Sequence, residues 1–233
     1  MIQLSVHPDP EAAATAAADR IAAGVAEAQS ARGGAHVSLA GGTTPRRAYE
    51  LLPARLVDPA HVDWWFGDER CVPPDDPESN YRLVAESLLA GAAIPPERVH
   101  RVHGEDPPPV AASAYAQELA LDVPAGEGGF PVLDVAVLGL GEDGHTASLF
   151  PGDPTLDVTD ALVVHVVAVK PPPNRITLTL PVLRSARKVI ILATGAGKRD
   201  AVSRVLAGPD PATPASLLAD ADVTLVVDGE AAP

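Results

Sequence analysis

The sequence holds one cysteine, Cys71, so no disulfide can form within the chain, which fits a reducing compartment. Aromatic residues make up only 3%, so the expected core is aliphatic, built from Val, Leu, Ile and Ala. Basic residues are scarce: 17 Lys and Arg stand against 31 Asp and Glu, a formal charge of −14. Such a chain is a poor partner for nucleic acid, whose phosphates are bound by basic faces. Nor does its overall field steer an anionic metabolite. A phosphate site here has to be local, made of a few cations and backbone N–H groups. No apolar run approaches the roughly 18 residues of a membrane span. The start, Met1-Ile2-Gln3-Leu4, lacks a basic region followed by an apolar signal segment. The expectation is a soluble cytoplasmic protein with no membrane association and no obligate protein partner evident.

What is present is globular: 46% hydrophobic and 21% charged residues over 233 positions, enough for a sizeable core. An alanine-rich stretch over 11–31 reads as an opening helix, ended by Gly33-Gly34. Short apolar runs follow at 35–39, 62–66, 132–138, 161–169, 189–193 and 223–227, most with the length and β-branched content of buried strands. Helical patterns fall between them at 45–52, 81–90, 110–121 and 198–206. Alternating strands and helices predict an α/β fold with a mostly parallel open sheet flanked by helices, Rossmann-like, as one domain over 1–233. The Pro/Gly-rich stretches 104–109 and 124–131 read as loops.

Glycine is concentrated where strands should end. The run 132–138 stops at Gly139-Leu140-Gly141-Glu142-Asp143-Gly144-His145. In open α/β sheets the carboxyl edge of the strands is where ligands bind. Histidine is the side chain best suited to moving a proton near neutral pH, so His145 is a candidate base. Gly139, Gly141 and Gly144 also fit a dinucleotide fingerprint. That needs a helix running on from the third glycine, and Pro151 and Pro154 leave almost no room for one, so the fingerprint is weak. A structural histidine in a glycine turn is the plainer alternative.

Four further segments put polar or charged residues beside strand ends or turns. Ser38-Leu39-Ala40-Gly41-Gly42-Thr43-Thr44-Pro45 reads as strand end, glycine turn and helix start, with Thr44 and Pro45 suited to the cap and first helical position. Free N–H groups there suit a phosphate, although an ordinary turn reads the same. It is not a Walker A loop, lacking the closing Gly-Lys-Ser/Thr. Phe66-Gly67-Asp68-Glu69-Arg70-Cys71 puts two carboxylates and a guanidinium at another strand end, followed by a polar helix start at Ser79-Asn80-Tyr81. Asn174-Arg175 and Gly195-Ala196-Gly197-Lys198 supply cations beside turns. Lys198 opposes the dipole of the helix it begins, which an intervening anion would relieve. His100 and His103 have a metal-like spacing but no carboxylate or cysteine nearby in a strong pattern, so no metal site is read. Cys71 reads as structural.

Taken in order, AGGTTP at 40–45, FGDERCVP at 66–73, SNY at 79–81, GLGEDGHTASLFP at 139–151, NRITLTLP at 174–181 and TGAGKRDAV at 194–202 resemble the 6-phosphogluconolactonase family. The family's glycine turn usually opens with serine, where this chain has Ala40. The resemblance implies a fold of the sugar-phosphate isomerase type. It implies hydrolysis of 6-phospho-D-glucono-1,5-lactone to 6-phosphogluconate in the pentose phosphate pathway, with neither metal nor organic cofactor. It assigns His145 as the base for water, with Gly41, Gly42, Thr43, Thr44, Lys198 and Arg175 on the phosphate, and Asp68 and Arg70 at the ring end. A single base and a few donors suffice for a δ-lactone, whose carbonyl is already electrophilic. A glucosamine-6-phosphate deaminase is the related alternative. That family carries a glutamate-containing segment after its histidine, where this chain has Ser148-Leu149-Phe150-Pro151. A non-catalytic sugar-phosphate sensor is the second alternative, and it would need a basic helix-turn-helix segment that is missing here.

Overall fold

A computed structural model describes residues 2–233. Six strands form a parallel sheet: β1 (Gln3–His7), β2 (Ala35–Leu39), β3 (Val62–Phe66), β5 (Val135–Gly139), β8 (Val189–Ala193) and β9 (Val223–Asp228). Their order is β1-β9-β8-β5-β2-β3. Val37 lies opposite Val135, and Ala136 opposite Val189. The chain leaves β2 toward β3 on one side and leaves β5 toward β8 and β9 on the other. The order therefore reverses between β2 and β5, and their carboxyl ends open a crevice.

A second sheet, antiparallel, comprises β4 (Asp68–Arg70), β7 (Asn174–Leu178) and β6 (Val163–Val167) in the order β4-β7-β6. The apolar run 161–169 thus forms the edge of this small sheet rather than a strand of the parallel one. β4 and β7 were not expected as strands. β4 is three polar residues, and β7 interleaves Ile176 and Leu178 with polar side chains, so neither offers an apolar run. A single residue, Gly67, separates β3 from β4. Its N–H donates to Leu39 C=O at 2.9 Å and its C=O accepts from Leu178 N–H at 2.9 Å. This joins the small sheet to the carboxyl edge of the large one.

Helix α1 spans Pro10–Arg32; Asp9 caps its start by accepting from Ala12 N–H at 2.8 Å, and Gly33 ends it at φ 80°. Its buried stripe is Ala13, Ala14, Ala17, Ala18, Ile21, Val25 and Ala28. Small side chains let the helix lie close to the sheet, and a β-carbon on Gly24 would reach 2.5 Å from Val135. The other helices are α2 (Thr43–Leu51), α3 (Asn80–Ser87), α4 (Pro108–Asp122), α5 (Leu180–Ser185) and α6 (Arg199–Leu206). α2 begins before the Thr44 cap read from sequence. Gly42, at φ 98°, takes the capping turn, and Pro45 becomes the third helical residue. None of these helices is long and apolar enough to cross a membrane.

The aromatic residues are few but central. Trp64, Trp65, Tyr49 and Phe66 are the largest fully buried side chains, so the core is aliphatic only in bulk. Two tyrosines act as bolts. Tyr49 Oη accepts from Ala40 N–H and donates to Ala40 C=O, both at 2.9 Å. Tyr115 Oη does the same to Phe66, at 2.7 and 3.0 Å. Each satisfies backbone groups where a strand leaves the sheet, and burial pushes both phenols above their ordinary pKa.

His100 meets carboxylates from distant elements rather than His103. Its Nε2 lies 3.0 Å from Asp63 on β3 and its Nδ1 2.7 Å from Glu118 on α4, with Asp122 at 3.9 Å. Trp65 stacks on the imidazole at 3.9 Å.

Candidate active site

The crevice at the β2/β5 reversal contains a cleft of about 210 Å³. Gly41, Gly42, Thr43, Thr44, Asp68, Arg70, His145, Arg175 and Lys198 all line it. These nine residues come from five segments that the sheet brings to one edge.

The floor starts at β2. Beyond Ala40, Gly41 presses on the Asn80 side-chain amide, and a β-carbon at Gly41 would overlap it. The next turn delivers the N-terminus of α2. Thr43 and Thr44 occupy its first two positions, where N–H groups have no helical acceptor.

Asp68 is nearly fully buried and held from two sides. Ser148 Oγ donates to its Oδ2 at 2.6 Å, while Asn80 Nδ2 donates to its Oδ1 at 3.1 Å and to its C=O at 2.8 Å. Glu69, the second carboxylate of the motif, serves elsewhere. It accepts from Arg70, Asn80 and Tyr81 N–H at 2.7–2.8 Å and from Ser79 Oγ at 3.1 Å, fixing the start of α3. Burial raises its pKa more than these donors lower it.

Arg70 and Arg175 are paired residues of the antiparallel β4–β7 ladder. Like charges directly opposite are unfavourable. Arg70 bonds the Glu78 carbonyl and stays 3.8 Å from the Glu78 carboxylate; its Nε is buried without a partner. Arg175 donates to Pro172 C=O at 3.3 Å and lies over the Phe150 ring at 5.8 Å. Burial, and then Arg70, lower its pKa. Among the described residues neither Arg175 nor Lys198 has an ion-pair partner. Lys198 precedes α6 and ends a short turn begun by Gly195, at φ 89°. Gly195 N–H is held by the buried carboxylate of Asp228 at 3.0–3.1 Å. So a chain of net charge −14 gathers three cations around one carboxylate, Asp68, in this cleft.

His145 completes the cleft from the β5 side. Its Nδ1 lies 2.5 Å from Asp143 Oδ1, which also accepts from His145 N–H at 3.1 Å. An Asp acceptor fixes the tautomer with the proton on Nδ1 and leaves the Nε2 lone pair free. Burial raises the Asp143 pKa, but the His145 N–H and ring together lower it further, so the net direction is down. Gly141 allows this compact turn: a β-carbon there would overlap both the His145 ring and Asp143 Oδ1. His145 tilts against Phe150 at 4.9 Å.

The matching family model is that of the glucosamine-6-phosphate isomerases/6-phosphogluconolactonase, over residues 8–227. The chain belongs to this family. It is 43% identical over 217 residues to a 6-phosphogluconolactonase of Streptomyces coelicolor, covering 88% of this chain and 83% of that one. It is 38% identical over 222 residues to one of Rattus norvegicus, covering 92% and 86%. The solved 6-phosphogluconolactonase of Trypanosoma brucei superposes with a TM-score of 0.88 at 32% identity, covering 99% and 97%. A monomeric glucosamine-6-phosphate deaminase shares the fold, with a TM-score of 0.81 at 22% identity, covering 98% of each chain. Every segment that carried the sequence resemblance lies within the matched residues. Sequence reasoning missed the partners: Asp143, Ser148 and the role of Asn80. The signal for Asp143 was the acidic pair two and three residues before His145; Ser148 and Asn80 acquire their roles only through folding.

Proposed function

We propose that this chain hydrolyses 6-phospho-D-glucono-1,5-lactone to 6-phosphogluconate, in the oxidative branch of the pentose phosphate pathway and in the cytoplasm. One observation carries the reading. A histidine whose Nδ1 is held by Asp143 at 2.5 Å shares a cleft with cations lacking carboxylate partners. That is a base beside an anion site.

In this mechanism Nε2 of His145 takes a proton from water as the water oxygen attacks the lactone carbonyl carbon. The carbonyl π-electrons move to oxygen, giving a tetrahedral oxyanion. Collapse breaks the bond to the ring oxygen, which takes the proton back from the imidazolium and leaves as the 5-hydroxyl. Asp143 holds the tautomer and stabilises the transient imidazolium. Thr43 and Thr44 N–H, with Lys198 and Arg175, hold the phosphate; Asp68 and Arg70 face the ring end. Ser148 is fully buried and its hydroxyl is committed to Asp68, so water rather than a serine is the nucleophile. Residues 148–151 carry no carboxylate, which disfavours the deaminase reading.

The test is freshly generated 6-phosphogluconolactone in the presence of EDTA. Acid release well above the spontaneous rate is expected, with no ammonia from glucosamine 6-phosphate. Release at the spontaneous rate would overturn the proposal.

A further inference from the structure

Arg204 lies on α6 outside the cleft, yet it grips the turn that carries His145. Nη2 donates to Glu142 C=O at 2.7 Å and Nη1 to Asp143 C=O at 3.1 Å. Nη1 also lies 3.3 Å from Thr213 Oγ1. Gly144, at φ 92°, permits the approach; a β-carbon there would stand 3.3 Å from Nη1 and 2.9 Å from Thr213 Cγ2. Among the described residues, Arg204 is the one side chain from outside 139–146 that hydrogen-bonds to the turn 141–145. Its only companion from outside is a backbone bond, Ala215 N–H to Gly144 C=O at 3.1 Å.

A planar fork on two consecutive carbonyls fixes the two peptide planes that flank the residue between them, which a point charge does not. That residue is Asp143, whose carboxylate holds Nδ1 of His145. The orientation of its backbone sets where the carboxylate sits. The same segment of chain brings Lys198 to the cleft, six residues earlier. The link to Asp200, at 3.0 Å, is an exposed pair of little energetic consequence.

We infer that Arg204 is a positioning residue: it holds the Asp143 backbone so that the carboxylate fixes the His145 tautomer. This rests on the hydrolytic reading of the cleft.

The test compares wild type, Arg204→Ala and Asp200→Ala on 6-phosphogluconolactone, with 15N NMR of the His145 ring as a readout independent of turnover. Arg204→Ala is expected to lose roughly 10- to 100-fold in kcat with KM changed less than about threefold. Its His145 should pass from one tautomer to a mixture. Guanidinium ion at tens of millimolar should restore part of the rate. Asp200→Ala should match wild type. Wild-type kcat and a single tautomer in Arg204→Ala would overturn the inference, as would a loss confined to thermal stability. If the wild type itself does not exceed the spontaneous rate, the proposed function fails and the tautomer alone judges Arg204. If Arg204→Ala does not fold, Arg204→Lys, which keeps the charge without the planar fork, carries the same comparison.

Discussion

Asp143 and His145 are bound twice within one turn: a single carboxylate oxygen accepts from the backbone N–H and from Nδ1 of the same histidine. The base is therefore oriented by a residue two positions away, in the turn that Arg204 holds from α6. His145→Ala should lower kcat by about 10²–10⁴, the usual contribution of a general base. Asp143→Asn should lower it by at least roughly tenfold, since an amide facing Nδ1 favours the wrong tautomer. Binding of 6-phosphogluconate, measured by calorimetry, should survive both changes. Near-wild-type turnover in His145→Ala would return that residue to a structural role.

Lys198 and Arg175 are cations waiting for an anion. A charge-assisted hydrogen bond is worth about 1.5–3 kcal/mol. Lys198→Ala should then reduce kcat/KM for the phosphorylated lactone by roughly 10- to 150-fold. Arg175→Ala should behave alike. Unphosphorylated gluconolactone should lose much less in each. Equal losses on the two lactones would move the phosphate elsewhere in the cleft.

Gly141→Ala separates space from strain. Gly141 is not in the left-handed region, yet a β-carbon there collides with His145 and Asp143. The variant should fold, losing about 1–3 kcal/mol as an overpacked site does, while kcat drops at least roughly tenfold. Circular dichroism with steady-state kinetics checks both. Full activity would show that the turn can relax without moving the base.

The pH dependence of stability should carry the mark of His100. Burial depresses its pKa, but bonds to Asp63 and Glu118 outweigh that, and the net direction is up. A raised histidine stabilises fully below its unfolded pKa, and that contribution is lost as pH rises through the folded value. Its surroundings are Asp63, Glu118, Asp122 and His36, with Arg98 on Asp63 at 2.9 Å. His36 is shifted down, chiefly by burial, and works in the opposite sense. The comparison is therefore wild type against His100→Gln in urea at pH 5.5 and 8.5. The stability gap should be wider at the lower pH; a gap that widens at the higher pH would reverse the assignment.

Much of the fold was legible. The runs 35–39, 62–66 and 189–193 became strands with those bounds, because short, largely apolar runs between turn residues leave little choice. β1 escaped notice because Gln3–His7 holds only two apolar residues, Leu4 and Val6, and so offers no apolar run. β4 and β7 escaped because their pairing with each other, rather than any apolar pattern, makes them strands. The same pairing hid the apposition of Arg70 and Arg175. The residues lining the cleft were readable because each follows a strand end or a turn. Asp143, Ser148 and Arg204 were not, because each acts through a partner that only the folded chain supplies. The aromatic count misled, since scarcity says nothing of where the few are buried.

The central pair β2–β5 joins parts of the chain far apart: Asp134 accepts from His36 N–H across 98 residues. Contacts of that separation form late, because loop closure must precede them. A growing chain that ends short of Lys198 can hold strands and helices and still own no complete site. During refolding from urea, turnover should return with the slowest step and lag behind helical signal. Enzymatic activity is then a report on closure of the whole sheet, and half-made molecules stay silent.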